Sequence, residues 1–98
     1  MLNKKSKTKN AKLPRRFKMP WGEGQIIEEV SILSEYHIPT IQLMQFDDGS
    51  YTIRFVSYSH KGMFQRSPLM VNAKDLKRLG AKIQKMPKLK KLISGLVK

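Results

Sequence analysis

The chain has 98 residues, of which 20 are Lys or Arg, 7 are Asp or Glu and none is Cys, and its formal net charge is +13. This length fits a single domain, and the lack of cysteine excludes a disulfide framework and a thiolate metal site. The longest apolar runs fall far short of the roughly 18 residues that span a membrane, and no apolar segment follows the charged N-terminus as in a signal peptide. We therefore expect a cytoplasmic protein with no membrane partner.

The positive charge is concentrated at the two ends of the sequence. Residues 1–19 carry eight basic residues and no acidic one, residues 20–72 have a net charge of −3, and residues 73–98 carry nine basic residues against Asp75. This asymmetry favours a polyanionic partner such as nucleic acid or a ribosome, because neutralised phosphates release counterions. The alternative is that the basic ends are solvated and only keep the protein soluble.

Residues 1–19 are rich in Lys, Asn, Ser and Thr, and they predict a disordered basic tail because like charges repel and little can be buried. Such an arm can follow phosphates or enter a minor groove, although an unstructured leader has the same composition. The candidate contacts in this segment are Lys12, Arg15, Arg16 and Lys18. The segment Pro-Trp-Gly-Glu-Gly over residues 20–24 then marks the domain boundary. We expect Trp21 to pack against the edge of the core, with base stacking as the alternative.

The segment 25–33 is rich in β-branched residues and predicts a strand, with a helix as the alternative because of its two adjacent glutamates. In a strand, Glu28 and Glu29 point to opposite faces, which argues against a catalytic carboxylate pair. Residues 34–40 predict a connection that contains Pro39.

The strongest local signal is a β-hairpin over residues 41–59, in which two apolar runs flank the turn Asp-Asp-Gly-Ser at residues 47–50. One face of the second strand is apolar, as in a sheet that is covered on one side. Arg54, Tyr58 and Gln42 are therefore candidates for an exposed face, and Met44 breaks the alternation of the first strand, which indicates a bulge. Arg beside Tyr occurs in binders of single strands, but it is also an ordinary cross-strand pair.

A second turn is predicted at Lys61-Gly62, followed by a short strand over residues 67–71. This region contains the only mixture of basic and aromatic residues inside the predicted domain, and any contact between the sheet and nucleic acid is expected here. The candidates are Tyr58, Lys61, Phe64 and Arg66.

Two basic amphipathic helices are predicted at about 73–85 and 87–97. Asn72 is an N-cap residue, Asp75 supports the helix start, and Pro87 suits the first turn of the second helix. Each helix has an apolar stripe at i, i+3 and i+7 spacing. The stripes are expected to cover the sheet, while Lys74, Lys77 and Arg78 are candidates for phosphate contact.

The order of short strands, then the segment Gly62 to Val71, then Asn-Ala-Lys-Asp-Leu-Lys-Arg-Leu at residues 72–79 resembles the single-stranded-DNA-binding domain of the positive cofactor 4 family of transcriptional coactivators. The resemblance spans roughly Gly24 to Ile83, and the basic leader is also similar. It implies a curved four-stranded antiparallel sheet followed by a helix, with two chains that dimerise through their helices. By resemblance alone, the sheet-side binding positions are Arg54, Tyr58, Lys61, Phe64 and Arg66.

The sequence thus predicts an α+β domain at residues 20–98, with about four antiparallel strands within 25–71, one or two C-terminal helices and a disordered basic tail at 1–19. The predicted function is non-catalytic binding of nucleic acid, preferably single-stranded DNA or RNA. The alternative is a ribosome-associated or other structural or adaptor protein whose basic ends are ordered by a partner. An enzyme is not expected, because a phosphate-binding glycine loop, a nucleophile elbow and clustered metal ligands are absent from the sequence. No cofactor or metal is expected, and a homodimer stays open.

Overall fold

The protein is described by a computed structural model, which covers residues 12–66 and 69–97. Its sheet has five antiparallel strands in the order β1-β2-β3-β4-β5, each hydrogen-bonded to the next along the chain. The strands are β1 (Arg15–Met19), β2 (Gly22–Ser31), β3 (Ile38–Phe46), β4 (Tyr51–Tyr58) and β5 (Phe64–Gln65). The helices α1 (Ala73–Ile83) and α2 (Pro87–Ser94) follow, and a 3₁₀ turn at Gly95–Val97 ends the described chain. The predicted α+β class, with an antiparallel sheet before two helices, is confirmed.

The folded chain begins earlier than the predicted boundary at residue 20. Strand β1 pairs with β2 from Arg15 opposite Ile26 to Met19 opposite Gly22. The prediction of disorder was therefore wrong for residues 15–19, because Arg15 and Arg16 find carboxylate partners on β2 and in the turn after β3 that cancel the repulsion within the tail. Residues 1–11 of the predicted tail lie outside the described residues. Trp21, which was expected to pack on the core, lies in the β1–β2 turn and is 75% exposed.

The predicted central hairpin is confirmed as β3 and β4. Its turn is closed by a bond from the Phe46 N–H to the Ser50 carbonyl, and Gly49 adopts φ +93°, a conformation that glycine reaches without steric cost. The bulge, however, lies in β2, where the register shifts between Ile26 and Glu28. Met44 stays in register opposite Ile26 and Thr52, so the broken alternation in β3 was misread.

One glycine is required by close packing between strands. Gly24 of β2 lies opposite Phe46 of β3. A Cβ atom added there would lie 2.0 Å from the Gln45 carbonyl oxygen and 2.6 Å from the Phe46 Cα. Any side chain at this position would therefore push the two strands apart.

The predicted strand at 67–71 is not found in the part that the structure describes, because residues 69–71 have irregular backbone and residues 67–68 lie outside it. The last strand is instead the short β5, which pairs Phe64 with Tyr58 and Gln65 with Ser57 across the predicted turn.

Both helices lie on one face of the sheet. Leu79 of α1 and Leu89 of α2 are fully buried against residues of β2, β3 and the connection between them, namely Val30, Ile32, Ile41 and Leu43. The Asn72 side chain accepts a bond of 2.8 Å from the Asp75 N–H and caps α1 as predicted. Helix α2 begins with Pro87 in its first turn but has no cap from its own N-cap residue, Met86.

The carboxylate of Glu28, on strand β2, caps α2 instead. It accepts bonds from the Leu89 N–H at 2.7 Å and from the Lys88 N–H at 3.2 Å. A carboxylate at this position satisfies free N–H groups and stabilises the positive end of the helix dipole. Glu28 therefore fixes the helix pair on the sheet.

Candidate nucleic-acid interface

The sheet face opposite the helices contains the predicted aromatic and basic residues. Side chains alternate along a strand, so Arg54 points away from Ile53, which packs on the core under the helices. The same face of β3 presents Gln42, which was predicted to be exposed. Gln42 is instead 0% exposed, because its amide is hydrogen-bonded to side chains of the two neighbouring strands, β2 and β4.

Gln42 and its partners belong to a network of hydrogen-bonded side chains that crosses β1 to β4. This network is called here the polar ladder, and it consists of Arg15, Glu29, Gln42, Arg54 and Tyr58. Arg15 donates two bonds to Glu29, of 2.9 and 3.2 Å. The Gln42 amide donates to Glu29 at 2.7 Å and to the Tyr58 hydroxyl at 3.1 Å. Arg54 Nε donates to the Gln42 amide oxygen at 2.8 Å. The described residues contain no buried side-chain nitrogen or oxygen without a partner.

The end of the polar ladder meets an aromatic ring on β5. The Arg54 guanidinium lies 5.8 Å from the centroid of the Phe64 ring, within the range of a cation–π contact. Phe64 and Tyr58 pack edge to face with centroids 6.1 Å apart. Three predicted site residues are thus brought together, and Phe64 remains 52% exposed. Lys61, in the β4–β5 turn, and Arg66, just after β5, are both exposed.

The four phosphate-contact candidates in and just before β1 fall into two groups. Arg15 and Arg16 are both ion-paired: Arg15 with Glu29, and Arg16 with Asp47 at 2.7 Å and Glu23 at 3.3 Å. The hydrogen bonds that Arg16 donates to Asp47 and Glu23 raise the pKa of its guanidinium above the ordinary value. These carboxylates already occupy the donors that a phosphate would need. Lys12, just before β1, and Lys18, within it, are exposed.

A second cationic surface, called here the helix layer, is formed by the solvent side of α1, α2 and the turn between them. It contains the predicted Lys74, Lys77 and Arg78 together with five lysines that were not among the predicted site residues. All eight are exposed, and the added lysines are Lys82, Lys85, Lys88, Lys90 and Lys91. The sequence had shown the signal for these five, since they lie off the apolar stripes of both helices.

The only carboxylate in residues 73–97 is turned inward. Asp75 is 5% exposed and accepts bonds from the Ser34 hydroxyl and from Arg78, of 2.7 and 2.8 Å. The hydrogen bond from Ser34, with a further contribution from Arg78, lowers the pKa of Asp75 below its ordinary value. The Asp75 carboxylate thus links the start of α1 to the β2–β3 connection. The helix layer exposes no acidic side chain.

The helix layer and the sheet face differ also in their aromatic content. All eight Phe, Trp and Tyr residues precede residue 65 in the sequence, so the helix layer can offer charge but no stacking surface. Stacking on a base would have to involve residues of the sheet or its turns, such as Phe64 or Trp21.

Within residues 12–66 and 69–97, no three or more His, Cys, Asp or Glu side chains are grouped so that they could hold a metal ion. None of the helices in those ranges is long and apolar enough to cross a membrane.

No protein-family model matches the chain, and neither a curated protein nor a solved structure matches it. The resemblance to the positive cofactor 4 family therefore stays a prediction.

Proposed function

We propose that this protein is a non-catalytic, cytoplasmic nucleic-acid-binding protein whose helix layer contacts the phosphate backbone. The observation that carries the proposal is the charge of that layer. It has eight exposed cations, of which Arg78 is ion-paired with Asp75, and this single carboxylate is buried. Clustered cations on one surface are the electrostatic signature of nucleic-acid binding.

The distribution of ion pairs supports the helix layer over the sheet face as the source of affinity. Arg15 and Arg16 are engaged by carboxylates, and Arg54 is engaged by Gln42 and Phe64. A phosphate that bound these arginines would have to displace an existing partner. A phosphate that bound Lys77, Lys85 or Lys90 would displace water and counterions only.

A preference for single strands would come from the sheet face. Phe64 presents an exposed ring beside the Arg54 guanidinium, and base stacking on an aromatic ring contributes about 1–3 kcal/mol where it occurs. Affinity and strand preference are then properties of opposite faces, and they can be separated by mutation.

The test is a fluorescence titration of the full chain with single-stranded DNA, duplex DNA and single-stranded RNA over a series of salt concentrations. Binding through several phosphates predicts a linear fall of log K with log salt, with a slope of about −0.7 to −0.9 per contact. Phe64→Leu should weaken binding to single strands and leave duplex binding unchanged. Tyr36→Leu, at an 80% exposed ring in the β2–β3 connection, is the matched control. Absence of binding to all three at low salt would contradict the proposal.

The alternative function, a structural or adaptor protein, is favoured by one observation. An apolar surface that includes Phe55, Leu92 and Leu96 is exposed where β4 meets α2. Exposed patches of this kind mark contacts with other protein chains.

A further inference from the structure

The outer edge of strand β4 is open along most of its length. Strand β5 pairs with β4 only at Ser57 and Tyr58, and no other strand in residues 12–66 and 69–97 pairs with that edge. Along an antiparallel pair of strands, hydrogen-bonded residue pairs alternate with pairs that are not hydrogen-bonded to each other. Phe46 and Ser50 are a hydrogen-bonded pair, since the Phe46 N–H donates to the Ser50 carbonyl. The backbone N–H and C=O groups of Tyr51, Ile53 and Phe55 therefore face away from β3. They are oriented to pair with an added strand.

The side chains of the same three residues form one wall of an apolar groove. The groove has a volume of about 370 Å³, and its lining contains no charged residue: Tyr51, Ile53, Phe55, Leu92, Ile93 and Leu96. Several of these side chains are freely accessible, since Phe55 is 50% and Leu96 74% exposed. An open strand edge beside an exposed apolar groove is the combination that proteins ordinarily protect against association.

The opposite edge of the sheet is protected in the usual way. Strand β1 is short and carries Arg16 and Lys18 as exposed charges, which disfavour edge-to-edge pairing. Strand β4 has no proline, lysine or bulge between Tyr51 and Phe55. Its single charge, on Arg54, points to the other face and is bound to Gln42.

The sequence of this edge is complementary to itself. When two copies of β4 are paired antiparallel about Ile53, Tyr51 of each copy lies opposite Phe55 of the other. Thr52 then lies opposite Arg54, so no like charges face each other directly. The central pair is Ile53 with its own equivalent. Aromatic and β-branched cross-strand pairs of this kind stabilise antiparallel sheets.

We propose that the β4 edge and its groove bind a second copy of this chain, so that the two β4 strands pair antiparallel about Ile53 in one continuous ten-stranded sheet, twice the five strands of one chain. The interface is isologous, as in most two-fold dimers. The two-fold axis is perpendicular to the sheet, so both helix layers lie on the same side. The placement of both helix layers on one side rests on the proposed function, because it joins two cationic surfaces into one. The pairing of the strands is independent of nucleic acid.

The first experiment measures the mass of the free protein by sedimentation equilibrium in about 0.3 M salt, where the repulsion between the positive chains is screened. We expect a mass of about 23 kDa, twice the 11.4 kDa of one chain. Phe55→Lys should give a folded monomer by circular dichroism. Met63→Lys also replaces an apolar residue by lysine, at a 65% exposed position beyond the end of β4. This control variant should stay dimeric. If the wild type is monomeric at all concentrations, the proposal is overturned, and a strand of another protein becomes the candidate occupant of the groove.

The second experiment tests the register, and it uses the absence of cysteine from the chain. Ile53→Cys would face its own equivalent at about 5.5 Å between Cα atoms, within disulfide range, and should cross-link under mild oxidation. Thr52→Cys would be about 8 Å from its equivalent and should not. Equal cross-linking of the two variants, or none in Ile53→Cys, would overturn the proposed pairing.

Discussion

The two sides of the sheet use the same basic residue types in different ways. On the sheet face, Arg15 and Arg54 are held in the polar ladder by Glu29 and Gln42. In the helix layer, Lys77, Lys85 and Lys90 are exposed, and the one carboxylate of those elements is buried. A cation that already has a partner contributes to the fold, whereas an exposed cluster is available for a polyanion. The role of a basic residue is therefore decided by its neighbours in the fold, and the number of basic residues in the sequence does not reveal it.

The largest expected effect comes from breaking the polar ladder at its centre. Gln42→Leu keeps the volume but removes the partners of Glu29, Tyr58 and Arg54. Unpaired buried polar groups cost about 1–3 kcal/mol each, so we expect a loss of about 2–4 kcal/mol and a Tm lower by about 10–20 °C. Thermal and urea unfolding measure this change. Gln45→Leu, on the same strand with one long contact of 3.5 Å to Tyr51, is the control, and equal losses in the two variants would contradict the role of the ladder.

A smaller effect is expected where the sheet holds the helix layer in place. Glu28→Ala removes the cap of α2 and should lower the free energy of unfolding by about 1–2 kcal/mol, as for other N-cap losses. Urea unfolding gives the value. Glu35→Ala, at an exposed loop carboxylate, should change stability by less than about 0.5 kcal/mol. A Glu28→Ala variant as stable as wild type would show that α2 needs no cap.

Acid pH should weaken the link between α1 and the β2–β3 connection. Because the pKa of Asp75 is lowered in the folded state, its stabilising contribution is present above the ordinary Asp pKa of about 4 and is lost as the pH falls through the folded value. Asp75→Asn should therefore be less stable than wild type at pH 7, and the gap should narrow below pH 4. Urea unfolding at several pH values measures the gap. A constant difference would contradict this assignment.

The smallest effect on stability is expected from the helix layer itself. Lys77, Lys85 and Lys90 are exposed, and replacing all three by Gln should change the free energy of unfolding by less than about 0.5 kcal/mol, since surface substitutions rarely do more. A loss above about 2 kcal/mol would mean that these lysines support the fold instead of being available to a polyanion.

Much of the fold is determined locally and could be predicted. The Asp-Asp-Gly-Ser turn, the Asn72 cap and Pro87 are short-range signals, and the structure has the hairpin and both helices where these signals indicate them. Strand β1 could not be predicted, because its ion pairs join residues as far apart as Arg16 and Asp47. The burial of Gln42 likewise depends on partners from two other strands, Glu29 of β2 and Arg54 and Tyr58 of β4.

The candidate site was predicted in its parts but not in its arrangement. Arg54, Tyr58 and Phe64 were expected together and lie together. Arg15 is ion-paired, whereas the lysines of α2 are exposed. This difference depends on which carboxylates the strand register brings close to each basic residue. Sequence spacing within a single strand or helix does not contain that information.

Two variants of equal net charge distinguish a defined phosphate-binding surface from net charge alone. Lys77, Lys85 and Lys90 are replaced by Gln in one, and Lys12, Lys18 and Lys61, which are exposed outside the helix layer, in the other. Binding to a labelled oligonucleotide is then measured over a salt series. We expect the first variant to bind more weakly, with a salt slope reduced by about 2–3, and the second to bind nearly as tightly as wild type. Equal losses in both variants would contradict a defined site and leave net charge alone as the cause.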